Sequence, residues 1–150
     1  MKRFVSALLL AVMLLNTFAV TGNAAEIYTN TIYFGDGSYI VVEITGDNSR
    51  ASGSKTASKQ YTYYDENDVS QWKVVLTGKF TYSGSDASCT SSSASTTIYK
   101  TAWYTVSKAS SKSGNTATAS AVMGYMFDGE TTIRVPVSLS LTCDANGNLS

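Results

Sequence analysis

Residues 130–143 read ETTIRVPVSLSLTC, and this stretch decides the fold. Apolar side chains alternate with polar ones, which is the period of a β-strand with one face in a core. The apolar set is Ile133, Val135, Val137, Leu139, Leu141 and Cys143. A slip of one residue would turn this whole set toward water, so the register is firmly specified. Because Pro136 cannot donate a backbone hydrogen bond, we expect this strand to lie at a sheet edge or to carry a bulge.

Two further stretches show the same alternation. Residues 69–83 predict a long strand whose apolar face is Trp72, Val74, Leu76, Phe80 and Tyr82, which places Trp72 in the core. Gly78 in its middle predicts a bend or bulge that would let the strand cross between two sheets. Residues 115–127 predict a strand that ends at the turn dipeptide 128–129. Every second side chain of this strand lies on one face, which is Ala117, Ala119, Ala121, Met123, Tyr125 and Phe127.

Shorter strands complete the pattern. We expect strands at 26–34 and 38–45 around the turn GDG, at 59–64 before the turn DEND, at 87–92 and at 96–107, with polar loops at 46–58 and 108–114. About eight strands without a helical period predict an all-β protein. An antiparallel two-sheet β-sandwich, immunoglobulin-like or jelly-roll-like, covers the apolar faces best, and a closed barrel is the alternative.

The first 25 residues have the layout of a secretory signal peptide. Lys2 and Arg3 precede an apolar run that ends near Val20, and the small residues Ala24 and Ala25 offer a cleavage site. The alternative is a retained membrane anchor, but the run is just short of the roughly 20 residues that span a bilayer. We therefore expect a signal helix at 1–25, a single β-sandwich domain at 26–150, and secretion to the outside of the cell.

Charge argues against two classes of partner. The chain has 11 basic and 11 acidic residues, and loss of Lys2 and Arg3 leaves a net charge of −2. This balance provides no electrostatic attraction to nucleic acid or to anionic membranes. We expect no nucleic-acid binding, and because no second long apolar run follows in the sequence, we also expect no stable membrane insertion after cleavage.

The two cysteines, Cys89 and Cys143, are the only ones in the chain. In a secreted protein they are expected to pair as a disulfide. The alternative is two free, buried thiols.

The sequence argues against most enzymatic chemistry. The chain contains no histidine, which excludes Ser–His–Asp and Cys–His catalysis and the commonest zinc ligand. The closest acidic cluster is Asp65, Glu66 and Asp68, and such residues favour turns through their own side-chain bonds. We expect no cofactor, no metal and no enzymatic activity, with a small glycan hydrolase as a remote alternative.

Three segments carry a resemblance to known proteins. TYYDENDVSQWKVVLTGKFTYSGSDASCTSSS, SKSGNTATA and VSLSLTCDANGNLS resemble a group of small secreted proteins of Gram-positive, clostridia-like bacteria. The resemblance implies secretion and a compact β domain, and it carries over no catalytic residues. A weaker likeness to immunoglobulin domains rests on the spacing of Cys89, Trp103 and Cys143.

The stretch IYKTAWYTV at 98–106 offers a candidate binding face. As a continuous strand it turns Tyr99 and Trp103 outward on a face that is otherwise polar. Exposed aromatic side chains suit stacking on sugar rings or contact with protein. The alternatives are that a neighbouring loop covers both aromatic side chains, or that a bulge reverses the register of the strand and turns them inward.

The leading interpretation is a secreted, non-enzymatic module that binds an extracellular glycan or protein through Tyr99 and Trp103. A membrane-acting, toxin-like effector is the second hypothesis, because the Ser/Thr-alternating segment 88–120 is similar to the hairpins of pore formers.

Overall fold

The computed structural model describes residues 26–46 and 52–150. The predicted signal peptide at 1–25 and residues 47–51 lie outside the described residues. The described part is all-β, which confirms the predicted fold class. Within it, no helix has the length and apolar character needed to cross a membrane.

Eight strands form two antiparallel sheets. They are β1 (Glu26–Tyr33), β2 (Tyr39–Gly46), β3 (Gly53–Tyr64), β4 (Ser70–Tyr82), β5 (Ala87–Ile98), β6 (Trp103–Ser113), β7 (Thr116–Phe127) and β8 (Glu130–Thr142). One sheet has the order β1-β2-β3-β4-β5 and the other β6-β7-β8, so neighbours in sequence are neighbours in each sheet. The two-sheet sandwich is therefore the architecture of the described chain.

The core forms between the apolar faces of the longest strands. The predicted face of β4 is buried, and Trp72, Val74, Leu76 and Phe80 are at most 1% exposed. The second half of β8 packs opposite through Val137, Leu139 and Leu141, and Cys143, the residue after β8, joins them. Strand β8 lies at the edge of its sheet, so the position expected for Pro136 is confirmed.

Small residues let the two sheets approach closely. A Cβ atom on Gly78 of β4 would lie 3.1 Å from the Cβ atom of Ala117 of β7 and 2.6 Å from the ring of Phe80. The register of β4 with β5 shifts between Lys79 and Phe80, which confirms the irregularity expected beside Gly78. The expected crossing between sheets was wrong, because β4 stays within the five-stranded sheet.

Strand bounds differ most where polar residues dominate. Strand β3 begins at Gly53 rather than at 59, inside the predicted loop, and β6 continues to Ser113 through the second predicted loop. In β3 the backbone pairs with β2 on one side and β4 on the other. A central strand gains its stability from these ladders and from packing, so a polar sequence does not prevent it.

The two cysteines correct another prediction. Cys89 and Cys143 are free and buried, so the expected disulfide is absent from the structure. The thiol of Cys89 donates to the carbonyl of Ser91 at 3.3 Å, and that of Cys143 donates to the carbonyl of Asp144 at 3.6 Å. Burial raises the pKa of the Cys143 thiol, which keeps it protonated and poorly nucleophilic.

Candidate binding surface

The stretch 98–106 is not one strand. Strand β5 ends at Ile98 and β6 begins at Trp103, and the backbone N–H of Trp103 donates to the carbonyl of Lys100 at 3.0 Å across the turn between them. Because a turn breaks the two-residue alternation, the side-chain direction deduced for Tyr99 does not carry over to Trp103.

Trp103 lies in the core, so its predicted outward position was wrong. It is 8% exposed. Its ring meets those of Tyr125, Tyr63 and Trp72 edge to face, with centroids 5.1, 5.6 and 5.9 Å away. Such pairs contribute about 0.5–1.5 kcal/mol beyond the area they bury. Trp103 therefore joins the two sheets and is not available to a ligand.

Tyr99 does reach the surface, with 44% of its area exposed. Its backbone N–H donates to the carbonyl of Gln71 at 2.9 Å, which holds the turn against the start of β4. The structure thus separates the two predicted site residues, leaving Tyr99 at the surface and Trp103 inside.

The other exposed large apolar side chains lie at the same end of the sandwich as Tyr99. They occupy the end of β1, the β3–β4 turn, the end of β5, the end of β7 and the start of β8. We call this surface the aromatic end; its exposed members among the described residues are Tyr33, Phe34, Val69, Ile98, Tyr99, Met126, Phe127 and Ile133. The start of β1 and the last residue, Ser150, lie at the opposite end, since Glu26 pairs with Gly46 and Ser150 bonds to Thr142.

Two members of the aromatic end were predicted to face the core. Phe127 is 61% exposed and Ile133 is 43% exposed. The β7–β8 register shifts between Tyr125 and Met126, and both strands continue beyond the last core layer. Alternation identified the apolar side of these strands correctly, but it does not reveal where the covering sheet stops.

Tight turns hold the aromatic end in shape. Asp65 accepts hydrogen bonds from the backbone N–H groups of Asn67 and Val69 at 2.9 and 3.0 Å. Asp128 and Gly129 have φ angles of 51° and 82°, as a two-residue hairpin turn requires. The backbone N–H of Met126 donates to the carbonyl of Ala102 at 2.8 Å and so extends the β6–β7 ladder by one pair toward this end.

A row of tyrosines crosses the outer face of the five-stranded sheet beside this end. Tyr33, Tyr39 and Tyr64 occupy adjacent positions on β1, β2 and β3. The rings of Tyr39 and Tyr64 stack with centroids 4.9 Å apart, and Tyr33 tilts against Tyr39 at 5.4 Å. The stack covers ring faces of Tyr39 and Tyr64, whereas Tyr33 is 71% exposed. Sequence reasoning missed this row, because the register that aligns three strands is not visible in any one of them.

One hydroxyl of the row is held in place. The Tyr39 hydroxyl donates to the Asp68 carboxylate at 3.0 Å. Loss of solvation and then the bond to Asp68 raise the pKa of Tyr39, because both disfavour the phenolate.

The aromatic end carries an excess of acidic groups. Six acidic residues lie in or next to its turns, against the basic Lys100 and Arg134; the acidic ones are Asp36, Asp65, Glu66, Asp68, Asp128 and Glu130. The acidic cluster predicted at 65–68 is a turn, with the Asp65 carboxylate bonded to backbone N–H groups and to the Gln71 amide. No group of three or more potential metal ligands occurs among residues 26–46 and 52–150.

Comparisons with protein-family models, with curated proteins and with solved structures find no match to this chain. The resemblance to small secreted clostridial proteins therefore stays an expectation from sequence.

Proposed function

We propose that the protein is a secreted, non-enzymatic binding module that docks an extracellular protein through its aromatic end. The observation that supports this function is the gathering of the exposed large apolar side chains at one end of the sandwich. Exposed apolar residues scattered singly over the surface are normal on a soluble protein, whereas their concentration in one region among polar residues is typical of an interaction site.

The composition of the aromatic end favours a protein partner. Phe, Tyr and Met are enriched in protein interfaces, and the consecutive residues Met126 and Phe127 are both exposed at the tip of the β7–β8 hairpin. Because acidic turns surround these side chains, a complementary partner presents basic residues around an apolar centre.

Secretion and lack of enzymatic activity belong to the same proposal. Residues 1–25 support secretion by their signal-like layout. The absence of histidine from the chain supports a function in binding. Sequencing the N-terminus of the protein recovered from culture medium tests the first point, and a start at residue 25 or 26 is the expected result.

Selection from a random peptide library tests the docking surface. The protein is immobilised through Ser150, which lies at the opposite end, and selected peptides are compared on the wild type, Phe127→Ser and the control Ser88→Ala. We expect peptides rich in basic and aromatic residues whose binding falls at least tenfold on Phe127→Ser and is unchanged on the control. Equal binding to all three proteins would remove the aromatic end as the site.

Glycan binding is a second candidate, and the tyrosine row favours it. Tyr33 has an exposed ring on which a sugar can stack, next to the oriented hydroxyl of Tyr39. A glycan array probed with the wild type and with Tyr33→Ala separates the two candidates. Signals lost on Tyr33→Ala but kept on Phe127→Ser would favour the glycan over the protein partner.

A further inference from the structure

Strand β1 is one edge of the five-stranded sheet. Among the described strands it contacts β2 alone. The backbone N–H of Phe34 donates to the carbonyl of Ser38 at 2.8 Å, so these two residues are a hydrogen-bonded pair of the β1–β2 ladder. This pair determines which residues of β1 bond to β2. In an antiparallel ladder every second residue bonds to its neighbour. The backbone N–H and C=O groups of residues 27, 29, 31 and 33 therefore point away from β2.

The edge of β5 is covered by the rest of the sandwich. The backbone N–H of Cys89 donates to the carbonyl of Gly114 at 2.8 Å. The hydroxyl of Ser110 and the amine of Lys112 reach the carbonyls of Ser92 and Cys89, each at 3.3 Å. These contacts close the side of the molecule where β5 and β6 meet.

The edge of β8 is interrupted. Pro136 removes one donor from its middle, and the backbone of Thr142 exchanges hydrogen bonds with Ser150 at 2.9 and 3.0 Å. Proline and covering segments are the usual devices that prevent an edge from pairing with another chain. Strand β1 contains no proline, no described strand other than β2 contacts it, and Glu26 at its beginning is its only charged residue.

We propose that β1 pairs with β1 of a second copy of this chain, antiparallel, about a two-fold axis at Asn30. In this register Thr29 lies opposite Thr31 of the second copy, and residue 27 lies opposite residue 33. All four outward-pointing residues of each copy then find a partner, whereas a shift of two residues leaves some of them unpaired. Such a contact is isologous, as most dimer interfaces are.

The side chains are complementary in the same register. On the inner face Tyr28 lies opposite Ile32 of the second copy, and both side chains are half-buried in the single chain. Aromatic and β-branched residues form favourable cross-strand pairs. Glu26 lies opposite Phe34 of the second copy, so no like charges face each other across the contact.

The dimer has a continuous ten-stranded sheet, since each copy contributes five strands. Because the two β1 strands run in opposite directions, the aromatic ends of the two copies point to opposite poles. Phe127, Met126 and Tyr99 lie away from the contact, whereas Tyr33 lies beside it. The pairing does not depend on the proposed function and is tested without a ligand.

Sedimentation velocity at several concentrations tests the pairing, with the protein carrying its natural N-terminus. Thr31→Pro deletes an outward-pointing N–H without touching the β1–β2 ladder, and Thr31→Val is its matched control because it keeps that donor. We expect a concentration-dependent dimer for the wild type and Thr31→Val, and a monomer for Thr31→Pro with an unchanged circular dichroism spectrum.

A second variant covers the case in which Thr31→Pro does not fold. Thr29→Lys places charges of equal sign near the two-fold axis and is expected to shift dissociation at least tenfold toward the monomer. A wild type that stays monomeric at all concentrations, or a dimer that persists in a folded variant of either kind, would overturn the proposal.

Discussion

Four aromatic rings, those of Tyr63, Trp72, Trp103 and Tyr125, meet where the two sheets come together at the aromatic end. Trp72 stacks on Tyr63 with centroids 5.3 Å apart, and Trp103 stands edge-on to Trp72 at 5.9 Å. The indole N–H of Trp72 has no hydrogen-bond partner in the part of the chain that the structure describes. These rings close the core directly beneath the proposed docking surface.

Replacing Trp103 is expected to destabilise the protein strongly. Trp103→Ala removes a buried ring that contacts three others, and such changes cost about 3–5 kcal/mol of unfolding free energy. Tyr99→Ala is the matched surface control and is expected to change stability by less than about 0.5 kcal/mol. Urea unfolding followed by circular dichroism measures both, and equal costs would contradict the placement of the two residues.

Tyr39 is expected to ionise at a higher pH than a free tyrosine. Loss of solvation and the bond to Asp68 both raise its pKa. Asp68→Asn removes a negative charge, so the pKa of Tyr39 should fall while staying above its ordinary value. Titration of the ring carbons by NMR measures the shift; an unchanged pKa in Asp68→Asn would contradict the hydrogen bond.

Two half-buried tyrosines also predict loss of stability in alkali. Desolvation raises the pKa values of Tyr61 and Tyr63 in the folded state. As the pH rises, the unfolded chain therefore loses the tyrosine protons before the folded protein does. The stability that the two neutral tyrosines contribute is complete below about pH 10, the ordinary tyrosine pKa, and declines above it. Urea unfolding between pH 8 and pH 11 checks this, and a midpoint that rises over that range would exclude the effect.

At the scale of the element, strong alternation made β4 and β8 predictable. Each places large apolar residues at every second position, and the turns before β2, β4 and β8 contain Asp and Gly or Asn. The break between β5 and β6 was missed because its sequence, YKTA at 99–102, has none of the usual turn residues. Strand β3 was too short in the prediction because its first half, GSKTAS, has Ala57 as its only apolar side chain and so shows no apolar alternation.

The spacing between the sheets depends on the small residue in the middle of β4. A Cβ atom at position 78 would lie 2.6 Å from the ring of Phe80, so Gly78→Ala is expected to cost about 1–3 kcal/mol by overpacking. Gly35→Ala is the control, because nothing lies within 4 Å of its added Cβ atom. Thermal unfolding of both variants measures the difference; a neutral Gly78→Ala would contradict the close approach of β4 and β7.

At the scale of the whole molecule, the two-sheet sandwich was predictable from the sequence, whereas only part of the docking surface was predictable. Tyr99 was correctly expected at the surface, but Phe127 and Ile133 were expected in the core. Their exposure depends on where one sheet ends relative to the other, which follows from packing in three dimensions and not from alternation along one strand. The resulting surface has its exposed apolar side chains at the end opposite Ser150.

Hydroxyl-radical footprinting with mass spectrometry tests this division between core and aromatic end most directly. Met and Phe each occur in both environments, because Met126 and Phe127 are exposed whereas Met123 and Phe80 are buried. We predict strong oxidation of Met126, Phe127, Tyr33 and Tyr99, and protection of Met123, Phe80, Trp72 and Trp103 until the protein is unfolded. Oxidation of native Trp103 to the same extent as Tyr99, or protection of Phe127, would contradict the account.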